Sequence, residues 1–173
     1  KRITQVTKDM MNFARARPAA KASLNVNEII EKGLRLASFD KSFQKLSIHK
    51  ELSISPPSVF ADADQLQQVF LNILLNARDA MPSGGILSIK SFASQEFVTI
   101  EIGDTGAGIE ESEIKQIFDP FFTTKSSGKG TGLGLAVCYG IITTHDGMID
   151  VVNNDDGGTT FSISLPNKKS HKQ

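Results

Sequence analysis

The hydrophobic and polar positions of this chain predict one long helix followed by a compact domain. Apolar residues recur every three or four positions over residues 3–17, in a narrow stripe that ends at Pro18 and is typical of a helix that pairs with another helix. A second helical pattern follows Asn25 and a third covers residues 63–81 after Asp62. Both preceding residues are good helix caps, so two helices of the domain are expected to begin there.

Short segments that alternate apolar with polar residues, or are apolar throughout, predict β-strands. Two of them, at residues 86–92 and 97–103, are separated by a short turn and predict a hairpin. A later apolar run predicts a helix that ends near His145, which we interpret as a structural residue. The other strands are expected at residues 46–52, 59–60, 148–152 and 161–165.

The composition indicates a globular protein and excludes some partners. Hydrophobic residues make up 39% of the 173 residues, which is enough for a core. Lys and Arg number 19, and so do Asp and Glu, so a broad attraction to nucleic acid or anionic lipid is not indicated. Cys138 lies in an apolar run and is expected to be a core residue. No apolar run could span a membrane, so we expect a cytoplasmic fragment whose membrane segment, if any, lies upstream.

Glycine occupies every second position of residues 128–134. Such a backbone can turn several N–H groups towards one anion, and Thr131 could cap a helix that begins there. The stretch is not a Walker A loop, because Thr123 and Gly130 stand where that motif needs Gly and Ser or Thr; nor is it a dinucleotide fingerprint, because Leu135 stands where Gly is needed. It is a candidate phosphate-binding loop of another kind, with a flexible surface loop as the alternative.

Three further polar features precede this loop. Asn72 and Asn76 lie one turn apart on a helix that is apolar nearly all round, and a buried amide needs a partner such as a cation or a ligand. Asp104 follows a strand and precedes two glycines, so it either forms a tight turn or presents a carboxylate to a ligand amine. Residues 119–129 combine aromatic and polar residues without periodicity, which indicates a hinged lid or an exposed loop.

The order of these features resembles the catalytic ATP-binding domain of sensor histidine kinases. This Bergerat-type domain is shared with type II topoisomerases, mismatch-repair ATPases and heat-shock chaperones. The resemblance covers residues 25–166, and residues 9–15 resemble the end of the dimerising hairpin that precedes the domain. The motifs that carry it are the N box NILLNA at 72–77, the first glycine box DTGAGI at 104–109, the F box FDPFF at 118–122 and the second glycine box GTGLGL at 130–135.

The resemblance implies an α+β fold and a division of the chain. The fold would be a two-layer α/β sandwich with a mixed, mostly antiparallel sheet of about five strands and three helices on one face, preceded by one long helix. Residues 1–20 would be the remnant of the hairpin's second helix, residues 21–167 the catalytic domain and residues 168–173 a disordered tail. The activity implied is transfer of the γ-phosphoryl group of Mg-ATP to a histidine.

The resemblance also assigns roles to residues. Asn76 would bind Mg²⁺, with Asn72 supporting that face, and Lys125 on the lid would cover the phosphates; these three are the implied catalytic residues. Asp104 would accept the exocyclic amine of adenine and so select ATP over GTP. The other ATP-binding residues implied are Gly106, Gly108, Ile109, Phe121, Phe122, Gly130, Thr131, Gly132, Leu133 and Gly134.

The chain departs from the family pattern at two positions. Hydrolysing relatives carry a glutamate base where Asn72 stands, and asparagine cannot take a proton, so transfer to an acceptor is favoured over hydrolysis. Some histidine kinases carry a basic residue where Asp79 stands, with Arg78 beside it here. Which cation contacts the γ-phosphate is therefore open.

The acceptor and the partners are expected outside this chain. Neither His49 nor His145 lies in a His-Glu/Asp box on a pairing helix, and His171 is in the tail, so we expect the acceptor hairpin upstream in the same protein and no self-phosphorylation by this fragment. A response-regulator receiver domain would be a further partner, and the full-length protein would form a homodimer. The alternatives are a Bergerat-type ATPase, a serine kinase of anti-sigma type, and a degenerate module that binds nucleotide or only a partner protein.

Overall fold

The computed structural model describes residues 19–55, 58–125 and 130–167. The helix expected over residues 3–17, the tail at 168–173 and lid residues 126–129 lie outside them. The strands are β1 (Ala22–Asn25), β2 (Leu46–Leu52), β3 (Ser58–Ala61), β4 (Gly85–Ala93), β5 (Phe97–Asp104), β6 (Met148–Asn153) and β7 (Thr159–Pro166). The helices are α1 (Val26–Ala37), α2 (Ala63–Ala80), α3 (Glu111–Ile114) and α4 (Gly134–Thr144).

Five strands form a mixed sheet in the order β2-β4-β5-β7-β6. Strand β2 runs parallel to β4, whereas the other neighbours are antiparallel, and β4 and β5 form the predicted hairpin. A parallel pair needs a crossover connection, which β3 and α2 provide. The predicted α+β class with a mixed, mostly antiparallel sheet is therefore confirmed. Strands β1 and β3 form a second, antiparallel sheet, and β1 was not predicted because its order comes from pairing with β3.

The core lies between this sheet and the helices α1, α2 and α4. Helix α2 is central, since it packs against both other helices and against β5. It buries Leu66, Val69, Phe70 and Ile73 almost completely, which follows from their spacing of three and four residues. Because these apolar residues occupy the face towards the core, the two asparagines of α2 are left on its side towards α4 and the cavity described below.

Asp62 connects α2 to the end of α4. Its Oδ1 accepts hydrogen bonds from the backbone N–H groups of Asp64 and Gln65, both at 3.0 Å, and so caps α2 as predicted. The N–H of Asp62 donates to Nε2 of His145 at 3.0 Å, so Nδ1 of that ring carries the proton and donates to the carbonyl oxygen of Ile141 at 2.8 Å. His145 is 2% exposed, which agrees with its interpretation as a structural residue.

Replacing Asp62 with alanine is expected to lower the free energy of unfolding by about 0.5–2 kcal/mol at pH 7, because α2 loses its cap. Burial raises the pKa of Asp62, but backbone N–H donors, Gln65 first, outweigh burial and hold the pKa below its ordinary value. The stabilisation is therefore present above the ordinary pKa and is lost as the pH falls through the lower pKa of the folded state. Urea denaturation at pH 7 and at acid pH measures this, with Asp64→Ala as a control on the exposed side of the same turn. A deficit that does not shrink in acid would contradict the expectation.

Candidate functional site

A cavity of about 600 Å³ opens beside α2. Its walls come from α2, from residues 104–109 at the end of β5, from segment 122–125 and from residues 130–135 at the start of α4. Residues from all four predicted motifs therefore meet at one place, although their positions in the sequence are far apart.

Asp104 is the buried acceptor of this cavity. It is 5% exposed, and its Oδ1 accepts the N–H of Gly106 at 2.8 Å. Burial raises the pKa of Asp104, while hydrogen bonds from the N–H groups of Gly106 and Thr159 oppose that rise. The carboxylate is thus fixed by backbone donors and lines the cavity, where it can accept a hydrogen bond from a ligand N–H group.

The two glycines after Asp104, Gly106 and Gly108, are required for different structural reasons. A Cβ on Gly106 would lie 2.7 Å from Ala80 Cβ, so the close approach of the segment after β5 to α2 requires glycine there. Gly106 is not among the residues that line the cavity, and its contact with a base stays a prediction. Gly108 has a φ of 76° and does line the cavity. Next to it, Ile109 is fixed by Asn153, which accepts its N–H at 2.9 Å and donates to its carbonyl oxygen at 2.6 Å.

The two asparagines of α2 make different contacts. Asn72 Nδ2 donates to the carbonyl oxygen of Gly134 at 3.2 Å and lies 3.7 Å from Cys138 Sγ, so Asn72 connects α2 to α4. Cys138 is fully buried, and burial raises the pKa of its thiol to about 12, as befits a core residue. Asn76 Oδ1 accepts from Lys125 Nζ at 3.0 Å. Both half-buried amides therefore have polar partners, and that of Asn76 is a cation.

A backbone contact joins the lid to the glycine loop. The N–H of Phe121 donates to the carbonyl oxygen of Gly132 at 2.9 Å, and a Cβ on Gly132 would lie 2.4 Å from the Phe121 carbonyl carbon. Both residues have positive φ, 69° and 66° respectively. This arrangement turns the Phe121 side chain outwards, where it is 62% exposed, and its ligand contact stays a prediction. Phe122 lines the cavity.

Helix α4 begins at Gly134, with Leu133 as its N-cap, and not at Thr131 as predicted. Thr131 Oγ1 accepts the N–H of Leu133 at 3.4 Å, a local turn that does not cap the helix. In the part of the chain that the structure describes, no side chain caps α4, so the N–H groups of its first turn are left for another acceptor. An uncapped helix start with its positive dipole end is an anion-binding site. The residues of this loop that line the cavity are Gly130, Thr131, Gly132, Leu133, Gly134 and Leu135.

Among the described residues, Arg78 and Lys125 are the cations that line the cavity. Arg78 pairs with two carboxylates, Asp40 at 2.5 Å and Asp79, and its side chain is only 20% exposed. Lys125 pairs with Asp79 at 2.6 Å. Burial would raise the pKa of Asp79, but its hydrogen bonds and charge interactions with both cations hold the pKa below its ordinary value. Since Arg78 is held by two acids, Lys125 is the cation better placed to reach a ligand.

Sequence reasoning missed the apolar wall of the cavity. Part of this wall comes from β7, whose residues cannot be assigned to the site without the sheet order, since β7 lies beside β5 only in the folded chain. Val137 on α4 was not assigned to the site because it lies in an apolar run, which is typical of core residues. The apolar residues missed include Ile117, Val137 and Phe161, and the polar lining residues missed include Gln68, Thr123, Thr124 and Thr159.

The site thus combines a buried acceptor, an apolar wall and an uncapped helix start, which defines a nucleotide-binding domain. In the described part of the chain, no three or more His, Cys, Asp or Glu residues are grouped to hold a metal ion. Nor does that part contain a helix long and apolar enough to cross a membrane.

Comparison with known proteins identifies the family. The model of histidine kinase-, DNA gyrase B- and HSP90-like ATPases matches residues 61–169, more than half of the chain. The sensor histidine kinase ZraS of Escherichia coli (strain K12) is 34% identical over 165 residues, which are 95% of this chain and 35% of that protein. The catalytic domain of histidine kinase ThkA, in a nucleotide-free form, is 31% identical with a TM-score of 0.76, over 85% of this chain and 97% of that one. ThkA in complex with the response regulator TrrA has a TM-score of 0.82 at 26% identity, over 99% of this chain and 49% of that one.

The chain belongs to this family, and its fold is that of a histidine kinase ATP-binding catalytic domain. It spans about a third of the length of ZraS.

Proposed function

We propose that this chain provides the kinase domain of a two-component sensor histidine kinase, which transfers the γ-phosphoryl group of Mg-ATP to a histidine on a separate hairpin helix. One observation carries the proposal: a single cavity holds the buried carboxylate of Asp104, the amide of Asn76 and the uncapped start of α4. These groups match the three parts of the ligand, which are adenine, the metal and the phosphates.

The adenine end is supported by Asp104 and its surroundings. An acceptor-only carboxylate suits the exocyclic amine of adenine and disfavours guanine, which has a carbonyl oxygen there. Ile109, Ile117 and Phe161 line the same cavity and offer apolar surface to a planar base.

The phosphate end is supported by the glycine loop, Asn76 and Lys125. The N–H groups of the loop and of the α4 start would bind phosphate oxygens, and Lys125 would add a positive charge. Asn76 fits Mg²⁺, because its amide oxygen already accepts from a cation and Mg²⁺ prefers oxygen ligands. Bound there, Mg²⁺ would neutralise and orient the phosphates.

Transfer to an acceptor is favoured over hydrolysis. Asn72 takes the place of the glutamate base of hydrolysing relatives, and its amide is occupied in holding Gly134. No group at that position can activate a water molecule. The kinase domain therefore positions ATP and leaves the nucleophile to the acceptor histidine.

We further propose the partners that such a kinase needs. The acceptor hairpin would belong to the same full-length protein, because His145 is buried in structural hydrogen bonds and His49 lies on β2. A response-regulator receiver domain would take the phosphoryl group, and the full-length protein would form a homodimer that works in the cytoplasm, where ATP is available. Any membrane anchor would lie outside this chain.

Calorimetric titration with a non-hydrolysable ATP analogue, with Mg²⁺ and then with EDTA, tests the proposal. The parent is expected to bind the analogue more tightly with Mg²⁺ than in EDTA, because a metal ion held at Asn76 would neutralise charge on the phosphates. In Asn76→Ala this Mg²⁺ dependence should disappear, while the weaker binding in EDTA persists. A variant that keeps the full Mg²⁺ dependence would contradict the metal assignment.

Radiolabelled ATP separates the reaction classes. Mixed with the acceptor hairpin of its full-length protein, the domain is expected to place an acid-labile label on that hairpin. Steady release of phosphate by the domain alone would instead favour the ATPase, and an acid-stable label would favour a serine kinase. Failure of the parent to bind the analogue would leave only a partner-binding module.

A further inference from the structure

Lys125 contacts two oxygens of α2 at the same time. Its Nζ lies 3.0 Å from Asn76 Oδ1 and 2.6 Å from Asp79 Oδ2. The two acceptors are three residues apart on the helix and so lie on one face. In this structure, the ammonium group of the lid therefore bridges an amide and a carboxylate on the wall of the cavity.

The contact with Lys125 occupies the Asn76 oxygen that is proposed to bind Mg²⁺. Mg²⁺ binds oxygen ligands at about 2.0–2.1 Å. A metal ion at that distance from Asn76 Oδ1 would repel an ammonium group held by the same oxygen. Lys125 and a metal ion bound by Asn76 would therefore compete for the same oxygen.

We infer that Asp79 and Asn76 form a docking position for Lys125 in the nucleotide-free domain, and that Mg-ATP releases Lys125 from it towards the phosphates. Asp79 is then a positioning residue, which acts on the ligand only through Lys125. This inference rests on the proposed function. The inference explains why an acidic residue, Asp79, is present where some histidine kinases carry a basic one.

The surrounding charges keep the free-energy cost of releasing Lys125 small. When Lys125 leaves, Asp79 still pairs with Arg78, which Asp40 holds from the other side, so no carboxylate is left without a partner. The side chains of Lys125 and Asp79 are 34% and 32% exposed. A pair of this exposure is screened by solvent and is weak enough for the phosphates to compete with it.

Two measurements on Asp79→Asn test the inference. In the nucleotide-free protein, amide hydrogen exchange over residues 121–125 should become several-fold faster than in the parent, whereas with bound Mg²⁺ and analogue the two proteins should exchange alike. Binding of the Mg²⁺-analogue complex should tighten by about 1.5- to 5-fold, because a surface ion pair no longer has to be broken. Asp79→Glu should restore the parent values. Glu51→Gln, which removes a surface ion pair between Glu51 on β2 and Lys90 on β4, serves as the control and should change neither.

A double-mutant cycle with Lys125→Met distinguishes docking from a general charge effect. If Asp79 acts by holding Lys125, Asp79→Asn should tighten binding in the parent and change nothing in Lys125→Met. If Asp79 only repels the phosphates, its removal should tighten binding equally in both backgrounds, which would overturn the inference.

Different results would contradict the docking of Lys125 and the proposed function. Unchanged exchange in nucleotide-free Asp79→Asn, with normal analogue binding by the parent, would overturn the docking of Lys125 and leave the proposed function intact. A parent that does not bind the analogue would overturn the proposed function. The exchange comparison without nucleotide would still decide whether Asp79 holds the lid.

Discussion

Replacing Asp104 with asparagine is expected to weaken ATP binding by roughly 10- to 150-fold, the effect of losing a hydrogen bond to a charged group of about 1.5–3 kcal/mol. The amide introduced by this substitution would turn an N–H group, or a weaker neutral acceptor, towards the adenine amine. Titration with ATP and GTP analogues measures the change. Discrimination between the two bases should fall with the affinity, because guanine presents an acceptor where adenine presents a donor.

The same substitution is not expected to unfold the domain. Because burial raises the pKa of Asp104, its charge opposes folding once it ionises: the parent gains most from this group below the ordinary pKa and loses that gain as the pH rises through the raised pKa. Asp104→Asn lacks this loss, so its stability relative to the parent should rise over that pH window. Thermal unfolding across pH checks the sign. Asp155→Asn, in the exposed turn before β7, is the charge-matched control. Parent-like affinity in Asp104→Asn would remove Asp104 from the site.

Replacing Gly158 with alanine is expected to lower the free energy of unfolding by about 2–5 kcal/mol, from positive-φ strain and overpacking together. Gly158 has a φ of 85°, and a Cβ there would lie 1.9 Å from the carbonyl oxygen of Asp104. The backbone of β5 would have to move, and the Asp104 carboxylate with it. Nucleotide affinity should therefore fall together with stability.

Gly157 provides the matched control. It has a φ of 93°, but the nearest neighbour of its Cβ would be the carbonyl oxygen of Gly106, 4.0 Å away. Gly157→Ala carries the conformational strain without the clash, so it should cost only about 1–2 kcal/mol and leave nucleotide affinity near that of the parent. Chemical denaturation and analogue titration on both variants measure the difference. Equal losses would show that the contact with Asp104 is unimportant.

Much of the fold followed from local patterns. The spacing of apolar residues located α2 and its cap Asp62, and alternation located the hairpin of β4 and β5. These elements depend on residues close together in the chain, so the sequence alone is enough to predict them. Strand β1 has no such pattern, because it is ordered by its pairing with β3, and only the folded chain shows it.

The candidate site was predictable in type but not in detail. Local chemistry indicated Asn76, Asp104 and the glycine loop, since amides, buried acids and bare backbone are unusual in an apolar setting. It also indicated Thr131 as the cap of α4, and that prediction was wrong, because Thr131 Oγ1 accepts the N–H of Leu133 in a local turn and the helix begins at Gly134. The position of Phe121 depends on a contact with the glycine loop: its N–H donates to the carbonyl oxygen of Gly132, and its side chain points outwards.

By itself, the sequence determined which chemistry is available: a buried carboxylate, two amides on one helix and a loop free to approach an anion. The tertiary structure alone decided which groups meet. It brought β7 beside β5 to complete the apolar wall, and it placed Lys125 between Asn76 and Asp79. The physical reason is that residue type and spacing fix propensity and polarity, whereas contacts between distant segments arise only when the sheet and its helices bury a common core.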